Sequence, residues 1–527
     1  MNHPRLPEPA RPAARPAPSE RIAAIDVGSN SIRLVVAEYD PQQGLQIIDE
    51  VKDQPRLATG LAATGQLDDF AMARALQALQ RMKEVTRRRG VRRLAAVATS
   101  AVREARNGAA FVARVRKELG IPLKVIDGRA EANLSWRSVA HHFPLAGTRT
   151  IVADIGGGSL EVIGAVNGLV EVTASLPFGA VRLTEQFSPE ERGAMRAVKA
   201  IRKRVRKRLR KALPWRAWTG ALIIGSGGTF TNLARMALIR RGHAAVDAVH
   251  GEEVTAAEVE QLLEWLATRT PEQRRAVAGL NPQRADIILA GLAVTAELLG
   301  LADARSLRVS AFGLREGLLL DMVGDAGPPS ASDPLRPLRE FVERCQGDRR
   351  HVEQVRTLAM ALFDQLGDAL GCDPGERGLL EAAALLHDVG QMVSYRQHHK
   401  HSYQLIMHAE RLNLTARDRS LVALVSRYHR KKGPSRKHAD FVALAEPEQQ
   451  VVRRLAALLR VADGLDRGHT SIVERVRTRL MDHRLSIRVT PRLAGGDVSL
   501  ECWGAERKAD VLAELLGREV TVAPAVV

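Results

Sequence analysis

Two short segments of the chain each place an aspartate directly before a loop of glycine and hydroxyl residues. The first is IDVGSNS at residues 25–31, and the second is ADIGGGS at residues 153–159. Glycine lets backbone N–H groups converge on an anion, and serine hydroxyls add further donors. An aspartate beside such a loop can hold Mg²⁺ against phosphate oxygens. One such segment would predict only a tight hairpin, but two matching segments predict a phosphate clamp.

A third glycine-rich loop strengthens this prediction. Its sequence is IIGSGGTFTNLA at residues 223–234, and it follows an apolar strand and leads into a predicted helix. The N–H groups at such a helix start would point at an anion. The first two loops also align on Asp26 and Asp154, which indicates an internal duplication. At the next informative position, Arg33 of the first copy corresponds to Glu161 of the second.

A second set of candidate ligands lies on predicted helices in the C-terminal third of the chain. The candidates are His351, His387, Asp388 and Asp463. The order His, His-Asp, Asp is the ligand pattern of HD-domain phosphohydrolases, and imidazole with carboxylate suits a divalent metal ion. His401 and His429 could supply a second ion. The alternative is that these side chains are polar remnants that only hold the helices together.

The composition is that of a soluble globular protein with several domains. The chain has 527 residues, 45% of them hydrophobic and 26% charged, and a chain of this length is too long for one core. Its three cysteines form no CxxC pair, which disfavours disulfides and zinc–thiolate sites and fits a reducing cytoplasm. No apolar stretch approaches the ~20 residues that span a bilayer. We therefore expect a cytoplasmic protein without a membrane span.

The net charge of +18 indicates either a polyanionic partner or simply a basic surface. The most basic run, residues 201–213, looks at first like a nucleic-acid arm. However, Ile201, Val205 and Leu209 recur at the spacing of one helix face. The run also contains no aromatic residue on which a base could stack. We therefore predict an amphipathic helix with a solvated basic side, and no specific nucleic-acid partner.

The elements that must position these residues alternate between strands and helices. Helices predicted at 68–88, 107–119 and 129–142 lie between short apolar strands, and this order favours an α/β domain with a mixed sheet. The Pro- and Arg-rich residues 1–20 predict a disordered tail. The segment GDAGPPSASDP at 324–334 predicts a linker.

The predicted domain organisation follows from these boundaries. Two α/β domains cover residues 21–140 and 141–325. Beyond the linker, residues 333–480 are almost entirely helical in pattern. Residues 481–527 predict a small α+β cap, formed by the segments LSIRVTP, DVSLECWG and EVTVAP together with a helix at 505–517.

The motifs resemble, in order and spacing, those of one known family. They are IDVGSNSIRLVV, ATSAVREARNG, VIDGRAEANLSW, DIGGGSLEVIG, GSGGTFTNLA and FGLREG, followed later by LLHDVG, HKHS and RYHRK. Over residues 22–520 the chain is similar to the exopolyphosphatase and guanosine-pentaphosphate phosphohydrolase (Ppx/GppA) family, including its HD-like C-terminal region.

The resemblance implies a fold and an activity. The fold would be α/β, with duplicated actin-like ATPase (ribonuclease H-like) domains followed by an all-α HD-like domain and the small α+β cap. The activity would be removal of the terminal phosphate from inorganic polyphosphate, or of the 5′-γ phosphate from pppGpp. Water would attack with the help of Mg²⁺, with Mn²⁺ as an alternative ion. We also expect a homodimer.

The resemblance also assigns roles to individual residues. Glu131 stands where the family keeps its catalytic base. Asp154 and Glu161 stand at its metal and catalytic carboxylate positions, and Asp26 is the further Mg²⁺ ligand predicted from the first loop. Arg103 stands at an arginine that meets the phosphate chain. The substrate-binding residues would be Gly28, Ser29, Asn30, Ser31, Arg103, Gly156, Gly157, Gly158, Ser159, Gly225, Ser226, Gly227, Gly228 and Thr229.

One departure and two alternative functions stand beside this interpretation. The family has Glu-Glu-Ala where this chain has Ala130-Glu131-Ala132, so only the neighbour of the base is lost. An actin-fold kinase or ATPase would need an adenosine pocket, for which GSGGTF is the only candidate. A non-catalytic regulator that binds polyanions or (p)ppGpp is disfavoured by the intact Glu131, Asp154 and Glu161. The sequence does not choose between polyphosphate and pppGpp.

Overall fold

The structure of the protein is a computed structural model, and it describes residues 19–40, 44–243, 249–324, 335–409 and 412–525. The predicted tail and the predicted linker lie almost entirely outside the described residues. The described residues form three β-sheets with helices around them. None of the described helices is both long enough and apolar enough to cross a membrane.

The first sheet has five strands in the order β3-β2-β1-β4-β5. The first three strands are antiparallel, and β4 and β5 continue the sheet parallel to β1. The strands are β1 (Glu20–Val27), β2 (Ile32–Asp40), β3 (Gly44–Asp53), β4 (Arg93–Ala98) and β5 (Leu123–Val125). The helices are α1 (Leu61–Thr64), α2 (Asp69–Arg88), α3 (Ser100–Glu104), α4 (Gly108–Leu119) and α5 (Gly128–His142). The three helices predicted here agree with α2, α4 and α5 to within one residue, whereas β3 was not predicted.

The second sheet repeats this arrangement with the order β10-β11-β9-β6-β7-β8. Its strands are β6 (Arg149–Ile155), β7 (Leu160–Val166), β8 (Leu169–Leu176), β9 (Leu222–Ser226), β10 (Glu253–Thr255) and β11 (Ser306–Ser310). Again three antiparallel strands, β6 to β8, come first, and β9 and β11 continue the sheet parallel to β6. The second sheet has one further edge strand, β10, which is antiparallel to β11. The helices are α6 (Ala180–Phe187), α7 (Pro189–Arg192), α8 (Ala194–Ala212), α9 (Gly228–Arg240), α10 (Ala256–Ala267), α11 (Pro271–Arg275), α12 (Ile288–Ala302) and α13 (Leu314–Met322), with short 3₁₀ turns at Trp215–Trp218 and Pro282–Arg284.

Helix α8 contains the basic run, and the structure explains its composition. Ile201, Val205 and Leu209 are fully buried. On the adjacent side of the helix, Arg202 and Arg206 both form ion pairs with Glu297 of α12, which is itself buried. The prediction of an amphipathic helix is therefore confirmed.

Helix α13 returns from the second sheet and packs on the first. Its residue Leu318 shares a core with Ile22 and Ala24, which lie on one face of β1 because alternate residues of a strand point to opposite faces. The helix also lies so close to α5 that a Cβ atom at Gly317 would sit 1.9 Å from the carbonyl oxygen of Leu134. Helices α5 and α13 therefore form one packed pair beside the first sheet.

The C-terminal part consists of a helical bundle and a three-stranded sheet. The bundle contains α14 (Arg336–Arg344), α15 (Arg349–Leu370), α16 (Glu376–Leu386), α17 (His398–His408), α18 (Ala416–Arg427), α19 (Ala439–Val442) and α20 (Glu446–Gly464), with 3₁₀ turns at Val389–Met392 and Tyr395–Gln397. The sheet has the order β12-β13-β14 and is formed by β12 (Val473–Leu480), β13 (Arg484–Pro491) and β14 (Glu519–Pro524), with α21 (Ser499–Glu506) and α22 (Asp510–Leu516) beside it.

Two predictions for this region were wrong. Strand β12 lies inside the segment that was predicted to be helical up to residue 480. The predicted helix at 505–517 is two helices, of which α21 includes most of the segment DVSLECWG. Val498, Cys502 and Ala505 are all buried, and their spacing of four and three residues is that of a helix face. The helical pattern extends over only a few residues here, so it was not recognised in the sequence.

We predict that Gly317→Ala separates the α5–α13 pair. Because the added methyl group would overlap the Leu134 carbonyl, the free energy of unfolding should fall by about 1–3 kcal/mol. Gly300→Ala is the matched control, since Gly300 also lies in a helix but has open space around its Cβ position. There alanine should stabilise by up to about 1 kcal/mol. Urea unfolding followed by circular dichroism measures both, and equal stability of the two variants would contradict the packing argument.

Candidate active site

The two aspartates of the duplicated motif occupy the same place in their sheets. Asp26 lies near the end of β1 opposite Arg33 of β2, and Asp154 lies near the end of β6 opposite Glu161 of β7. The second copy also pairs Asp154 with Ser226 at the end of β9. The duplication read from the sequence is thus a repeated strand register, but the residue opposite each aspartate carries the opposite charge in the two copies.

The loop after each aspartate closes with the same hydrogen bond. In the first loop Gly28 N donates to Ser31 O at 3.1 Å, and in the second Gly156 N donates to Ser159 O at 3.0 Å. These bonds turn the intervening residues of each loop outward from its sheet. The two loops therefore present the same short stretch of backbone, one from each sheet.

The two loops are in direct contact with each other. A Cβ atom at Gly158 would lie 2.4 Å from Ser100 Oγ and 2.7 Å from Ser29 Oγ, and one at Gly157 would lie 2.9 Å from Ser29 Cβ. A residue larger than glycine does not fit at Gly157 or Gly158, so it is glycine that allows the two loops to approach each other. The contact forms one wall of a cleft between the sheets, which we call the cleft below.

The third loop and the start of α13 close the cleft from the second sheet. The loop runs from Ser226 to Gly228, lines the cleft and leads into α9. The N-terminus of a helix is a favourable place for an anion. Gly313 precedes α13, and a Cβ atom there would lie 2.8 Å from Ser226 Oγ and 3.8 Å from Asp154 Oδ2. The cleft is therefore lined by all three glycine-rich loops predicted from the sequence.

Carboxylates from both sheets meet beside these loops. Asp26 Oδ1 is buried and has no hydrogen-bond partner among the described residues. Asp154 Oδ2 accepts a hydrogen bond from Ser135 Oγ at 2.7 Å. Glu131, in the first turn of α5, is bound through Oε2 to Arg103 Nη1 at 3.0 Å and lines the cleft.

The carboxylates raise one another's affinity for protons. Burial raises the pKa of Asp26 to about 6, against the attraction of Arg33 and Arg315, and the charge of Asp154 adds to the rise. Burial also raises the pKa of Glu131 to about 7, against the hydrogen bond from Arg103. Such a group of desolvated like charges with an unpartnered oxygen fits a divalent cation, which would neutralise it.

In the second sheet, burial also raises the pKa values of Glu161 and Asp154. Burial, followed by the charges of Glu131 and Asp154, raises the pKa of Glu161 well above its usual value, and Glu161 Oε1 accepts a hydrogen bond from Ser175 Oγ at 2.9 Å. Burial likewise raises the pKa of Asp154. Asp26 and Asp154 line the cleft and are candidate ligands for a divalent cation, whereas Glu161 is not among the lining residues.

Five cations lie close to one another beside these carboxylates, and three of them, Arg33, Arg284 and Arg315, line the cleft. We call them the cation group, and they are Arg33, Lys52, Arg235, Arg284 and Arg315. Burial and the charges of the four arginines lower the pKa of Lys52 to about 8. Arg284 is nearly buried, its Nε has no partner among the described residues, and its guanidinium lies against the backbone of Gly228 in the third loop. An anion in the cleft would relieve this repulsion.

The comparison with known proteins agrees with this geometry. A model of the Ppx/GppA phosphatase family matches residues 35–326, and a model of domain III of that family matches residues 336–492. The chain belongs to the Ppx/GppA phosphatase family. The curated guanosine-5′-triphosphate,3′-diphosphate pyrophosphatase of Vibrio vulnificus (strain YJ016) is 27% identical over 447 residues, which are 84% of this chain and 86% of that one.

Solved structures extend the likeness to the fold. A Ppx/GppA family member from Aquifex aeolicus is 32% identical, with a TM-score of 0.50, and covers 58% of this chain and 98% of its own. An exopolyphosphatase from Cytophaga hutchinsonii is 27% identical, with a TM-score of 0.52 and the same two coverages. The first two sheets of the present chain form the duplicated actin-like fold that the motifs predicted.

Some residues predicted to bind substrate do not line the cleft. Gly225 lies inside β9, where a Cβ atom would overlap the ring of Phe230 at 2.2 Å. Thr229 is buried and packs against Gly291. Their positions in the motif serve strand and helix packing. Arg103 binds Glu131 and the Ile126 carbonyl, so it positions the carboxylate.

The cation group was not predicted from the sequence. Arg33 and Arg315 fall within quoted motifs, IDVGSNSIRLVV and FGLREG, and a search for cations beside each glycine loop would have found them. Arg284 lies in the segment NPQRAD, far from any glycine loop in sequence. Only the fold places it against Gly228.

The predicted metal ligands of the helical region also come together. His351 Nε2 lies 3.6 Å from Asp463 Oδ1 and 3.7 Å from Asp388 Oδ2, and His387 Nε2 lies 3.7 Å from Asp388 Oδ1. Burial opposes a charge on His351, but Asp463 and Asp466 outweigh it and raise the pKa of that imidazole to about 10. The carboxylates are thus able to hold a positive charge at the centre of this cluster.

One predicted ligand of this cluster was wrong. His398 Nε2 lies 3.1 Å from Asp388 Oδ1 and 3.1 Å from His429 Nε2. His401 lies on the same helix but is partly exposed and does not belong to the cluster. The sequence HHKHS offers three histidines within four residues, and only the rotation of α17 decides which one faces the bundle. The second group of candidate ligands is therefore Asp388, His398 and His429.

We predict that Gly158→Ala forces the two phosphate loops apart. Since the methyl group would overlap Ser100 Oγ and Ser29 Oγ, the loops must separate by a fraction of an ångström to about one ångström, and kcat/KM for phosphate release should fall by about 100-fold. Gly378→Ala is the control, because Gly378 lies in α16 with nothing near its Cβ position. Retention of full activity by Gly158→Ala would show that the contact does not shape the cleft.

Proposed function

We propose that the protein hydrolyses the terminal phosphoanhydride bond of inorganic polyphosphate, or of the 5′-triphosphate of pppGpp. The observation that carries the proposal is the meeting of carboxylates with the buried Arg284 and neighbouring cations beside three phosphate-type loops. The carboxylates fit a divalent cation, and the cations fit a chain of phosphates. Few ligands other than a metal-bound polyphosphate chain satisfy both halves of the cleft.

The loops would hold the terminal phosphates. Residues 28–31, 156–159 and 226–228 line the cleft. Their backbone N–H groups, apart from those of Gly28 and Gly156 that close the first two loops, would be donors to phosphate, and the hydroxyls of Ser29, Ser31 and Ser159 add further donors. Donors fixed in this way need no reorganisation when charge develops on the transferred phosphoryl group. We propose Mg²⁺ at Asp26, Asp154 and Glu161, where it would neutralise phosphate oxygens, with Mn²⁺ as the alternative ion.

Glu131 would orient and deprotonate the attacking water. Arg103 holds Oε2, so Oε1 is left to accept a proton from water. The pKa of Glu131, raised to about 7 by burial, makes this carboxylate basic enough for proton transfer near neutral pH. The water oxygen then bonds to the terminal phosphorus, its proton passes to Glu131, and the bond to the bridging oxygen breaks with its electrons leaving on the shortened chain.

The cation group would bind the phosphates behind the reacting one. Among the described residues, no carboxylate forms an ion pair with Arg33, Lys52, Arg235 or Arg284, whereas Arg315 is shared between Glu50 and Glu316. Guanidinium groups bind phosphate oxygens through paired N–H donors. The leaving phosphate would thus be stabilised as its charge grows.

The names of the relatives point to two substrates. The Vibrio vulnificus relative is named for a guanosine pentaphosphate substrate and the Cytophaga hutchinsonii structure for polyphosphate. Phosphate release from each, measured side by side under the same conditions, assigns the preference. The choice between Mg²⁺ and Mn²⁺, the homodimer and the cytoplasmic location stay predictions.

We predict that Glu131→Gln lowers kcat by about 10²–10⁴-fold on the preferred substrate. Glutamine keeps the size of the side chain and its hydrogen bond to Arg103 but cannot take the proton. Glu118→Gln, an exposed change on α4, serves as the control for loss of a negative charge. Unchanged turnover in Glu131→Gln would remove Glu131 from this role.

We predict that Arg284→Gln raises KM for polyphosphate by about 10- to 100-fold, because a charge-assisted hydrogen bond contributes about 1.5–3 kcal/mol. Arg275→Gln removes the same charge from an exposed site paired with Glu272 and should leave KM within a factor of two. Initial rates over a range of substrate concentrations separate KM from kcat. If the two variants gave the same KM, the buried cation would have no contact with substrate.

A further inference from the structure

A short segment after β3 lies against the first phosphate loop and reaches toward the second sheet. We call it the strap, and it consists of residues 54–60, between β3 and α1. Arg56 N donates to the Asn30 carbonyl at 3.2 Å, and Ala58 N donates to the Ser29 carbonyl at 2.9 Å. The strap therefore binds two carbonyls of the first loop, and the loop cannot shift without moving the strap.

The side chain of Arg56 extends from the strap to the segment before α12. Its Nη1 donates to Asp286 Oδ2 at 2.7 Å, and its Nη2 donates to the Gln283 carbonyl at 3.2 Å. These two acceptors stand on either side of Arg284 in the chain, and Arg284 is a buried member of the cation group that lines the cleft. One guanidinium group thus holds the chain both before and after Arg284.

Asp286 also acts on Arg284 through its charge. Burial and the charge of Arg33 lower the pKa of Arg284 to about 10, and the charge of Asp286 opposes this effect. Asp286 Oδ2 is bound to Arg56, whereas Oδ1 is buried and has no hydrogen-bond partner among the described residues. Arg56 therefore fixes the carboxylate that stabilises the charged form of Arg284.

The segment that contains Arg284 is anchored to the third phosphate loop as well. Asn232 Nδ2 donates to the Gly228 carbonyl at 2.6 Å, and Asn232 Oδ1 accepts a hydrogen bond from Asn281 N at 2.6 Å. Arg284 follows Asn281 by three residues. Its segment is thus held from the third loop by Asn232 and from the first loop by Arg56.

The strap is also connected to the second phosphate loop, through α6. Gly60 N donates to Glu185 Oε1 of that helix at 3.2 Å. The helix begins at the second loop, where Ala180 N donates to the Gly156 carbonyl at 2.9 Å. The strap is therefore joined to all three loops, either directly or through one further element.

The backbone of Arg56 is unusual for an arginine. Its φ angle is +52°, in the left-handed region that favours glycine, and its side chain is 44% exposed. A residue with a side chain stays in this region only where its contacts outweigh the strain. Glycine could form the same backbone bonds to the first loop. The bonds to Gln283 and Asp286 are the contacts that require arginine.

We propose that Arg56 is a positioning residue, which holds Gln283 and Asp286 so that Arg284 meets the phosphates behind the reacting one. Arg56 is not among the residues that line the cleft, so it acts on the substrate through Arg284. A partly exposed ion pair contributes little to folding. Loss of Arg56 should therefore change substrate binding more than stability. This inference rests on the function proposed for the cleft.

The first test is a double-mutant cycle between Arg56 and Arg284 in the full-length chain. Arg56→Gln should raise KM for the preferred substrate by about five- to tenfold, because Arg284 is no longer held in place. In an Arg284→Gln background, the same change should raise KM by less than about twofold, because the side chain that Arg56 positions is absent. An equal rise in KM in both backgrounds overturns the proposal.

Two further variants separate the side chain of Arg56 from the backbone of the strap. Arg56→Gly removes the guanidinium group but suits the left-handed conformation, so it should raise KM as Arg56→Gln does. Arg89→Gln is the matched control, because Arg89 forms a similarly exposed ion pair with Asp49 at 2.7 Å away from the cleft, and it should leave KM within about twofold. An unchanged KM in Arg56→Gly would assign the effect to the backbone and overturn the proposal.

The second test does not depend on turnover. Amide hydrogen exchange, followed by mass spectrometry, reports local opening of residues 281–288. Arg56→Gln should speed exchange in this stretch by about threefold or more, whereas Arg89→Gln should leave it unchanged. Exchange at 281–288 that is the same in Arg56→Gln and the unmodified chain overturns the proposal.

Failure of this inference can be distinguished from failure of the proposed function. If the unmodified chain released no phosphate from polyphosphate or pppGpp, the proposed function would be contradicted. Hydrogen exchange would then still decide whether Arg56 holds the segment around Arg284. If the unmodified chain is active and Arg56→Gln has the same KM, only the positioning role of Arg56 is contradicted.

Discussion

The contact between the loops at 28–31 and 156–159 is the constraint on which the rest of the molecule depends. The first sheet alone offers one aspartate and one glycine-rich loop, and the second offers one aspartate and the loops at 156–159 and 226–228. The approach of Gly157 and Gly158 to Ser29 makes one cleft from the two turns. It also brings Asp26, Asp154 and their neighbours together away from water, which raises their pKa values. The contact that forms a cleft suited to phosphate therefore also disfavours the charged form of the carboxylates in it.

Two helices that are packed on each other connect the sheets. Helix α5 leads from the first sheet toward the second, and α13 returns from the second sheet to pack on the first. The two helices are packed on each other through Gly317 and the Leu134 carbonyl. Any rotation of one sheet against the other must bend or slide this pair. Because Glu131 lies on α5 and Arg315 on α13, such a rotation would move a carboxylate and a cation of the cleft together.

The parts of the structure that could be predicted from sequence are those decided by neighbouring residues. Glycine loops after apolar strands, helix α8 and the duplicated aspartates are local patterns, and each is present. The rotation of a helix about its own axis within a bundle depends on residues that are distant in sequence. The sequence therefore led to the prediction of His401, whereas it is His398 that faces Asp388 and His429. Arg284 could not be found because its role depends on contact with Gly228, far away in sequence. The helical spacing of Val498 and Cys502 extends over too few residues to distinguish a helix from a strand.

The duplication explains why one site can hold both a metal ion and a chain of phosphates. The two copies keep the same strand register, but the residue opposite the aspartate is Arg33 in one and Glu161 in the other. An exact repeat with glutamate twice would add a carboxylate to an already repelling group. An exact repeat with arginine twice would remove a candidate metal ligand. The difference in charge at this position places Arg33, beside Lys52, on the first sheet and Glu161, beside Asp154, on the second. The repeated backbone register thus builds two matching loops, and the change of residue opposite the aspartate lets the two copies contribute groups of opposite charge.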